Sequence, residues 1–175
     1  GNFISKFGTQ GSSDGQFSYP SSISLDTQGN IYVADSYNHR IQKFDSSGNF
    51  VSKFGTSGSG DGQFYSPSGM SSDTQDNVYV VDKRNGRVQV FDASGNFVSK
   101  FGTSGLYGSS LNGPEGVEIL SNGDVYIANG FNNNVSIWSP ALPLTITSVS
   151  STASTSTATI TWTSSAAASS QVEYG

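Results

Sequence analysis

The block Gly1-Asn2-Phe3-Ile4-Ser5-Lys6-Phe7-Gly8 returns almost unchanged at residues 48–55 and again at 95–102, a step of 47 residues each time. The same step joins Pro20 to Pro67 and Pro114, and Tyr32 to Tyr79 and Tyr126. Residues 1–47 align with 48–94 without a gap, and 30 of the 47 positions are identical. A fixed period of this length marks a solenoid, a propeller or an array, because a unit that small buries its apolar face only against its neighbours. The third copy, 95–141, keeps the period but drifts. Asn129 stands where the second copy has Asp82, Asn134 where it has Arg87, and Gly108-Ser109-Ser110-Leu111 where it has Asp61-Gly62-Gln63-Phe64.

Within one period the apolar, aromatic and β-branched residues come in runs of four or five, with the step of two that strands require. Ile31-Tyr32-Val33-Ala34, Ile41-Gln42-Lys43-Phe44 and Phe50-Val51-Ser52-Lys53-Phe54 are such runs. Gln28-Gly29-Asn30 and Ser47-Gly48-Asn49, with their copies Gln75-Asp76-Asn77 and Ser94-Gly95-Asn96, supply the residues that tolerate the left-handed backbone of tight hairpins. The pattern predicts four short antiparallel strands per copy, at roughly 22–26, 30–35, 40–45 and 49–55 and then shifted by the period. Four strands in a unit of this length is a β-propeller blade. The fold class is therefore all-β, with residues 9–19 and 56–66 as crossings between blades. Ile31, Val33, Ile41, Phe44, Phe50, Phe54 and their equivalents in the later copies are expected to be buried between blades.

Eight Lys and Arg against thirteen Asp and Glu give a net charge of −5 and a pI near 4.5, the wrong sign for neutralising nucleic-acid phosphates. Cysteine is absent and there is one histidine, so thiol catalysis, disulfides and Cys/His zinc sites are excluded. No apolar run approaches the ~18 residues of a membrane-spanning helix. No secretion signal is visible and residue 1 is Gly rather than Met, so the chain is expected to be a segment of a longer precursor.

Residues 32–44 (Tyr-Val-Ala-Asp-Ser-Tyr-Asn-His-Arg-Ile-Gln-Lys-Phe) and 79–91 (Tyr-Val-Val-Asp-Lys-Arg-Asn-Gly-Arg-Val-Gln-Val-Phe) resemble the Asp…Asn-x-Arg-Ile/Val-Gln signature of NHL repeats. Phe54-Gly55, Gly62-Gln63-Phe64 and Pro67-Ser68-Gly69 resemble the link of the same family. The resemblance covers residues 1 to about 141 and implies an NHL β-propeller, usually six-bladed, of which three copies (1–47, 48–94 and 95–141) make half. The chain starts on what would be the last strand of a blade, the phase of a ring whose final blade is completed by an N-terminal strand. Three blades are too few to close, so the partners expected first are the remaining blades, from the same chain or from another copy.

Beyond Pro140 the rhythm stops. Residues 142–145 read as a linker, and 17 of the 26 residues at 145–170 are Ser or Thr. Such a tract suits a disordered, O-glycosylated stalk. The alternation in Thr159-Ile160-Thr161-Trp162-Thr163 and Gln171-Val172-Glu173-Tyr174 suits strands instead, and resembles the start of a fibronectin type III-like sandwich over 146–175, with Trp162 and Tyr174 as core aromatics. That domain needs around 100 residues.

Asp35 with Arg40 and Asp82 with Arg87 recur at the same place in successive copies. An active site is singular whereas scaffold pairs repeat, so these are expected to be hydrogen-bonded structural pairs. The acidic links around Asp14 and Asp61 lack the alternating oxygen ligands of a calcium loop, and no metal or other cofactor is expected. His39 reads as a solvated turn residue. No nucleophile elbow, phosphate loop or His-x-x-x-His pair is present. Asn134-Val135-Ser136 is a sequon, which makes Asn134 a glycosylation candidate. Tyr19, Tyr37, Tyr65, Tyr107 and Phe131 fall in loops and are candidates for stacking on a ligand.

These readings converge on a non-catalytic, extracellular or cell-surface interaction module of prokaryotic type, a propeller that binds protein or glycan. One alternative is a structural subunit of a surface assembly or fibre in which copies complete each other's ring. The other, implied by resemblance to metal-dependent propeller lyases and lactonases, is a fragment of such an enzyme with its ligands elsewhere. RNA binding, known for NHL domains with basic faces, is disfavoured because residues 1–102 carry eight basic and nine acidic groups.

Overall fold

The computed structural model describes residues 1–139, 146–153, 158–164 and 169–174. It divides into two compact units, Gly1–Trp138 and Ser139–Gly175.

In the first unit β1 (Thr9–Gln10) and β2 (Gln16–Phe17) form a small parallel pair that ties down the first crossing. The first blade follows as β3 (Pro20–Leu25), β4 (Ile31–Asp35), β5 (Arg40–Phe44) and β6 (Phe50–Phe54). β7 (Thr56–Ser57) and β8 (Gln63–Phe64) repeat the parallel clasp. The second blade is β9 (Pro67–Ser72), β10 (Val78–Asp82), β11 (Arg87–Phe91) and β12 (Phe97–Phe101). The third has β13 (Pro114–Ile119), β14 (Val125–Asn129) and β15 (Asn134–Trp138). Each sheet runs in chain order with antiparallel neighbours, four strands in the first two and three in the last. The predicted strands are met within about two residues, with one correction. Residues 1–8, which repeat the sequence of β6 and β12, form no strand, because the first unit offers them no neighbouring edge.

Four hairpin turns share one chemistry. Asp26, Asp45, Asp73 and Asp92 each accept, through Oδ1, the backbone N–H groups two and four residues on, and through Oδ2 the side-chain amide of Asn30, Asn49, Asn77 or Asn96. The carboxylate thus satisfies donors that the turn would otherwise leave to water. Asp26 also pairs with Lys43 at 3.3 Å, and Tyr32 lies beneath the same ammonium.

The core lies between blades rather than within them. One cluster joins Tyr32, Ala34 and Ile41 of the first blade to Phe64, Met70, Val78, Val80 and Phe91 of the second repeat. The other joins Val81 and Val88 to Leu111, Val117, Val125 and Ile127. Side chains on alternate faces of each strand go to alternate neighbours, as the period of two requires. Fully burying each large side chain contributes about 1.5–3 kcal/mol. Of the expected core, Val33, Ile41 and Phe44 are buried, whereas Ile31, Phe50 and Phe54 are half-buried. Val135, the equivalent of Ile41, is a further correction: it is 62% exposed, because no fourth strand covers β15 among the described residues.

The second unit contains β16 (Ile146–Ala153), β17 (Ala158–Ser164) and β18 (Ser169–Tyr174), an antiparallel sheet in chain order. The linker expected over 142–145 lies outside the described residues, as do the side chains of Trp162 and Tyr174. Among the described residues no helix is long and apolar enough to cross a membrane.

Candidate functional site

After β4, β10 and β14 the chain makes a short 3-10 turn, at Ser36–Asn38, Lys83–Asn85 and Gly130–Asn132. Each turn ends on a left-handed residue, His39, Gly86 or Asn133. The middle residue of the turn is planar in all three copies: Tyr37, Arg84 and Phe131.

Each planar group meets the crossing that leads into its own blade. Tyr37 stacks on Tyr19, with centroids 4.9 Å apart and planes 13° from parallel. Arg84 lies over the Tyr65 ring at 5.2 Å, a cation–π contact. Phe131 covers Gly113, where a side chain would overlap its ring. Tyr19 adopts φ 54°, a left-handed conformation that a bulky residue rarely takes. The stack stays in solvent: Tyr19 is 66% exposed and Tyr37 62%.

Between the first two of these positions runs a groove of about 510 Å³. Tyr19, Tyr37, Lys83, Arg84 and Glu115 form its walls, with Lys83 and Glu115 joined at 2.5 Å. Its floor is made of serines. Ser21 and Ser36 hydroxyls lie 2.6 Å apart, and both donate to the Pro67 carbonyl. These hydroxyls are occupied in joining blade to blade, so the free chemistry is on the walls: exposed flat rings, a guanidinium and one ion pair. Rigid rings offer contact area at little entropic cost.

The candidate residues fall into three groups. Tyr19 and Tyr37 meet in the groove, and Tyr65 sits behind Arg84, 5.4 Å from the His39 ring. Phe131 and Tyr107 lie outside the groove and are exposed. The Asp–Arg pairs lie under the crossings. Asp35 Oδ2 accepts from Arg40 Nε at 2.8 Å and from Asn38 and Gln42, while its Oδ1 accepts the Ser18 N–H. Arg40 reaches on to the carbonyls of Ser13 and Gln16. Asp82 and Arg87 repeat this with Asn85, Gln89, Tyr65, Gly60 and Gln63. In the third copy Asn129 does both jobs without charge, accepting from Asn112 N–H and donating to the Ser110 carbonyl. Asp14 and Asp61 pair with Lys53 and Lys100. His39 Nδ1 accepts the Ser66 N–H at 3.1 Å, tying the first blade to the second crossing. Asn134 opens the exposed strand β15.

Lys83, Arg84 and Glu115 were missed in the sequence, since only Arg84 shares a repeat position with an aromatic. The sign was available in the period, which places Arg84 between Tyr37 and Phe131.

The titratable groups that depart from ordinary behaviour lie in the hairpin turns and on the strands beside them, where burial also raises Tyr79. Burial pushes Asp26 up, but Asn30 and Lys43 more than offset it and hold its carboxyl below the usual range. Asn49 and Asn96 hold Asp45 and Asp92 low in the same way. Burial raises Tyr32, and Lys43 beside it is also raised, its own burial being outweighed by Tyr32 and Asp26.

Repeated four-stranded antiparallel sheets joined by buried inter-blade clusters define a β-propeller architecture. Within it, residues 17–44 and 64–91 match the NHL repeat. Forty-three residues are 54% identical to the B-box type zinc finger protein ncl-1 of Caenorhabditis elegans, a match covering 25% of this chain and 5% of that protein. The protein brain tumor of Drosophila melanogaster is 51% identical over 43 residues, 25% of this chain and 4% of its own length. Among solved structures, a putative exported protein from Bacteroides fragilis superposes with a TM-score of 0.54 at 13% identity, over 95% of this chain and 54% of that one. A catalytically inactive virginiamycin B lyase from Staphylococcus aureus, solved with quinupristin, gives 0.52 at 17%, over 83% and 48%. The chain thus spans about half of these solved chains and a small part of the two curated relatives. At such identities the structural likeness speaks for the fold.

Proposed function

We propose that this chain is a non-catalytic binding module, displayed outside the cell, that takes an extended segment of a partner protein in the groove between Tyr37 and Arg84. The observation that carries the reading is the Tyr19–Tyr37 stack, held in solvent by a strained left-handed backbone where burial would be the ordinary fate of two rings. A peptide side chain packed on that stack, with its backbone along the serine floor, would place a carboxylate or carbonyl against Lys83 or Arg84. The sequon at Asn134 and the Ser/Thr-rich second unit support an extracellular setting. Three antiparallel strands at β16–β18 support the fibronectin type III-like reading of that unit.

Selection of a random peptide library on the full chain tests this. The expected result is a family of peptides whose binding falls at least tenfold in Tyr37→Ala and Arg84→Ala and is unchanged in Tyr107→Ala. Peptides insensitive to both groove variants, or binding only on a glycan array, would overturn it.

A further inference from the structure

One residue sets the charge of the groove. Arg40, Lys43, Lys53, Lys83, Arg87 and Lys100 each pair with an Asp or Glu carboxylate. Among the described residues Arg84 is the one basic side chain between 40 and 100 with no carboxylate partner. Its guanidinium is held over the Tyr65 ring at 5.2 Å, an arrangement that leaves the in-plane N–H groups to grip a carboxylate. Lys83 beside it is already neutralised by Glu115 at 2.5 Å. On a chain of net charge −5 the groove therefore offers one uncompensated positive charge.

The floor restricts the kind of backbone that can lie on it. Pro20 and Pro67 line it and have no N–H to offer. The Ser21 and Ser36 hydroxyls donate to the Pro67 carbonyl, and the Ser68 hydroxyl donates to the Glu115 carbonyl at 3.0 Å. An added β-strand needs a run of free N–H and C=O groups along an edge, and an amphipathic helix needs an apolar trough. Prolines and inward-turned serines supply neither. A polyproline II segment asks for less, since it has no internal hydrogen bonds, is stiff before it binds and packs its rings on aromatic faces. Tyr19 and Tyr37 supply those faces, 4.9 Å apart and nearly parallel. Their hydroxyls make no hydrogen bond among the described residues, so each can donate to a proline carbonyl.

Resting on the peptide-binding reading above, we infer that the groove takes a proline-rich segment in the polyproline II conformation, with an Asp or Glu next to the prolines. The prolines lie on the Tyr19–Tyr37 stack and the carboxylate meets Arg84. Tyr37 and Arg84 hold the middle position of successive 3-10 turns, so ring and charge stand one blade apart and select for both parts of the segment together. A preformed helix gives up little conformational freedom on docking, which suits a site whose walls are exposed side chains. The uncompensated guanidinium then decides between acidic and basic proline-rich segments through charge complementarity.

The probe is a fluorescein-labelled oligoproline ending in a pair of aspartates, titrated with the full chain and read by anisotropy. It should bind saturably, about tenfold more tightly than the same oligoproline ending in lysines and than a Gly/Ser peptide that keeps the aspartates. Tyr37→Ala should weaken it about tenfold, and Arg84→Glu should reverse the preference in favour of the lysine-ended peptide. Both side chains are exposed, so the variants should melt with the parent, and a melt alongside each titration separates lost binding from lost fold. Equal binding of the two oligoprolines, equal binding of the Gly/Ser peptide, or an unchanged preference in a folded Arg84→Glu variant would each overturn the assignment. Library peptides that need Tyr37 but carry no proline would overturn this ligand class and leave the groove a peptide site. Library peptides indifferent to both residues would overturn the two together.

Discussion

Phe54 ends the outer strand of the first blade, yet its ring lies 4.7 Å from Phe91, which belongs to the second. Phe91 is 1% exposed and also touches Phe64, from the crossing, and Phe97. One ring therefore gathers two blades and the segment between them. Phe91→Ala should cost about 3–5 kcal/mol, as a large-to-small change in a closed site. Urea denaturation measures it. In a double-mutant cycle Phe54 and Phe91 should couple by about 0.5–1.5 kcal/mol.

The buried carboxylate of Asp82 and the guanidinium of Arg87 are tied at 2.8 Å, and both are almost sealed from water. Asp82→Asn alone strands the arginine and should cost about 3–5 kcal/mol. The third blade carries Asn at both equivalent positions, Asn129 and Asn134. The double variant Asp82→Asn with Arg87→Asn should therefore be more stable than Asp82→Asn alone. Equal or lower stability of the double variant would show that desolvated charge is not what governs the site.

Gly86, His39 and Asn133 share a left-handed conformation, so backbone preference alone would accept Asn at 86. Contact decides otherwise: a Cβ on Gly86 would stand 2.7 Å from Ser104 Cα and 2.8 Å from the Leu111 carbonyl oxygen. Gly86→Asn should destabilise by roughly 1–3 kcal/mol through overpacking. The melting temperature of this variant against that of Asn133→Gly, which relieves no contact and should change little, separates the two causes.

Acid should weaken the fold through its hairpins. Asp26, Asp45 and Asp92 have carboxyls held below their ordinary value. Their stabilisation is thus present above about pH 4, the unfolded carboxyl value, and lost as pH falls through the lower folded one. The urea midpoint should be flat from pH 7 to 5 and fall below about pH 4. Replacing Asn49 and Asn96 by Ala should flatten that fall. Tyr32 and Lys43 are raised, so their contribution holds below about pH 10 and is lost as pH rises beyond it.

The strands were legible because two signals coincide: a period of two inside each run and a period of 47 between runs. The inter-blade core followed from the same alternation, and failed at Val135, where no fourth strand covers β15 among the described residues. The Asp…Asn hairpins lay open in the sequence at Asp26 and Asn30, but glycine and asparagine masked the carboxylate that organises them. The groove was not legible. Tyr19 comes from a crossing and Tyr37 from a turn, and Lys83 and Glu115 belong to different repeats, so only the packing of one blade on the next assembles them.

The handover of Phe7 to Phe44, Phe54 to Phe91 and Phe101 to Trp138 also bears on ancestry. A gene that copies one 47-residue unit in tandem creates no new kind of junction, because every outer strand already holds the blade that follows it. Copy number can then change in a single event while each local contact is inherited intact. The third copy, with its paired asparagines, has drifted most and still keeps the same handover of rings.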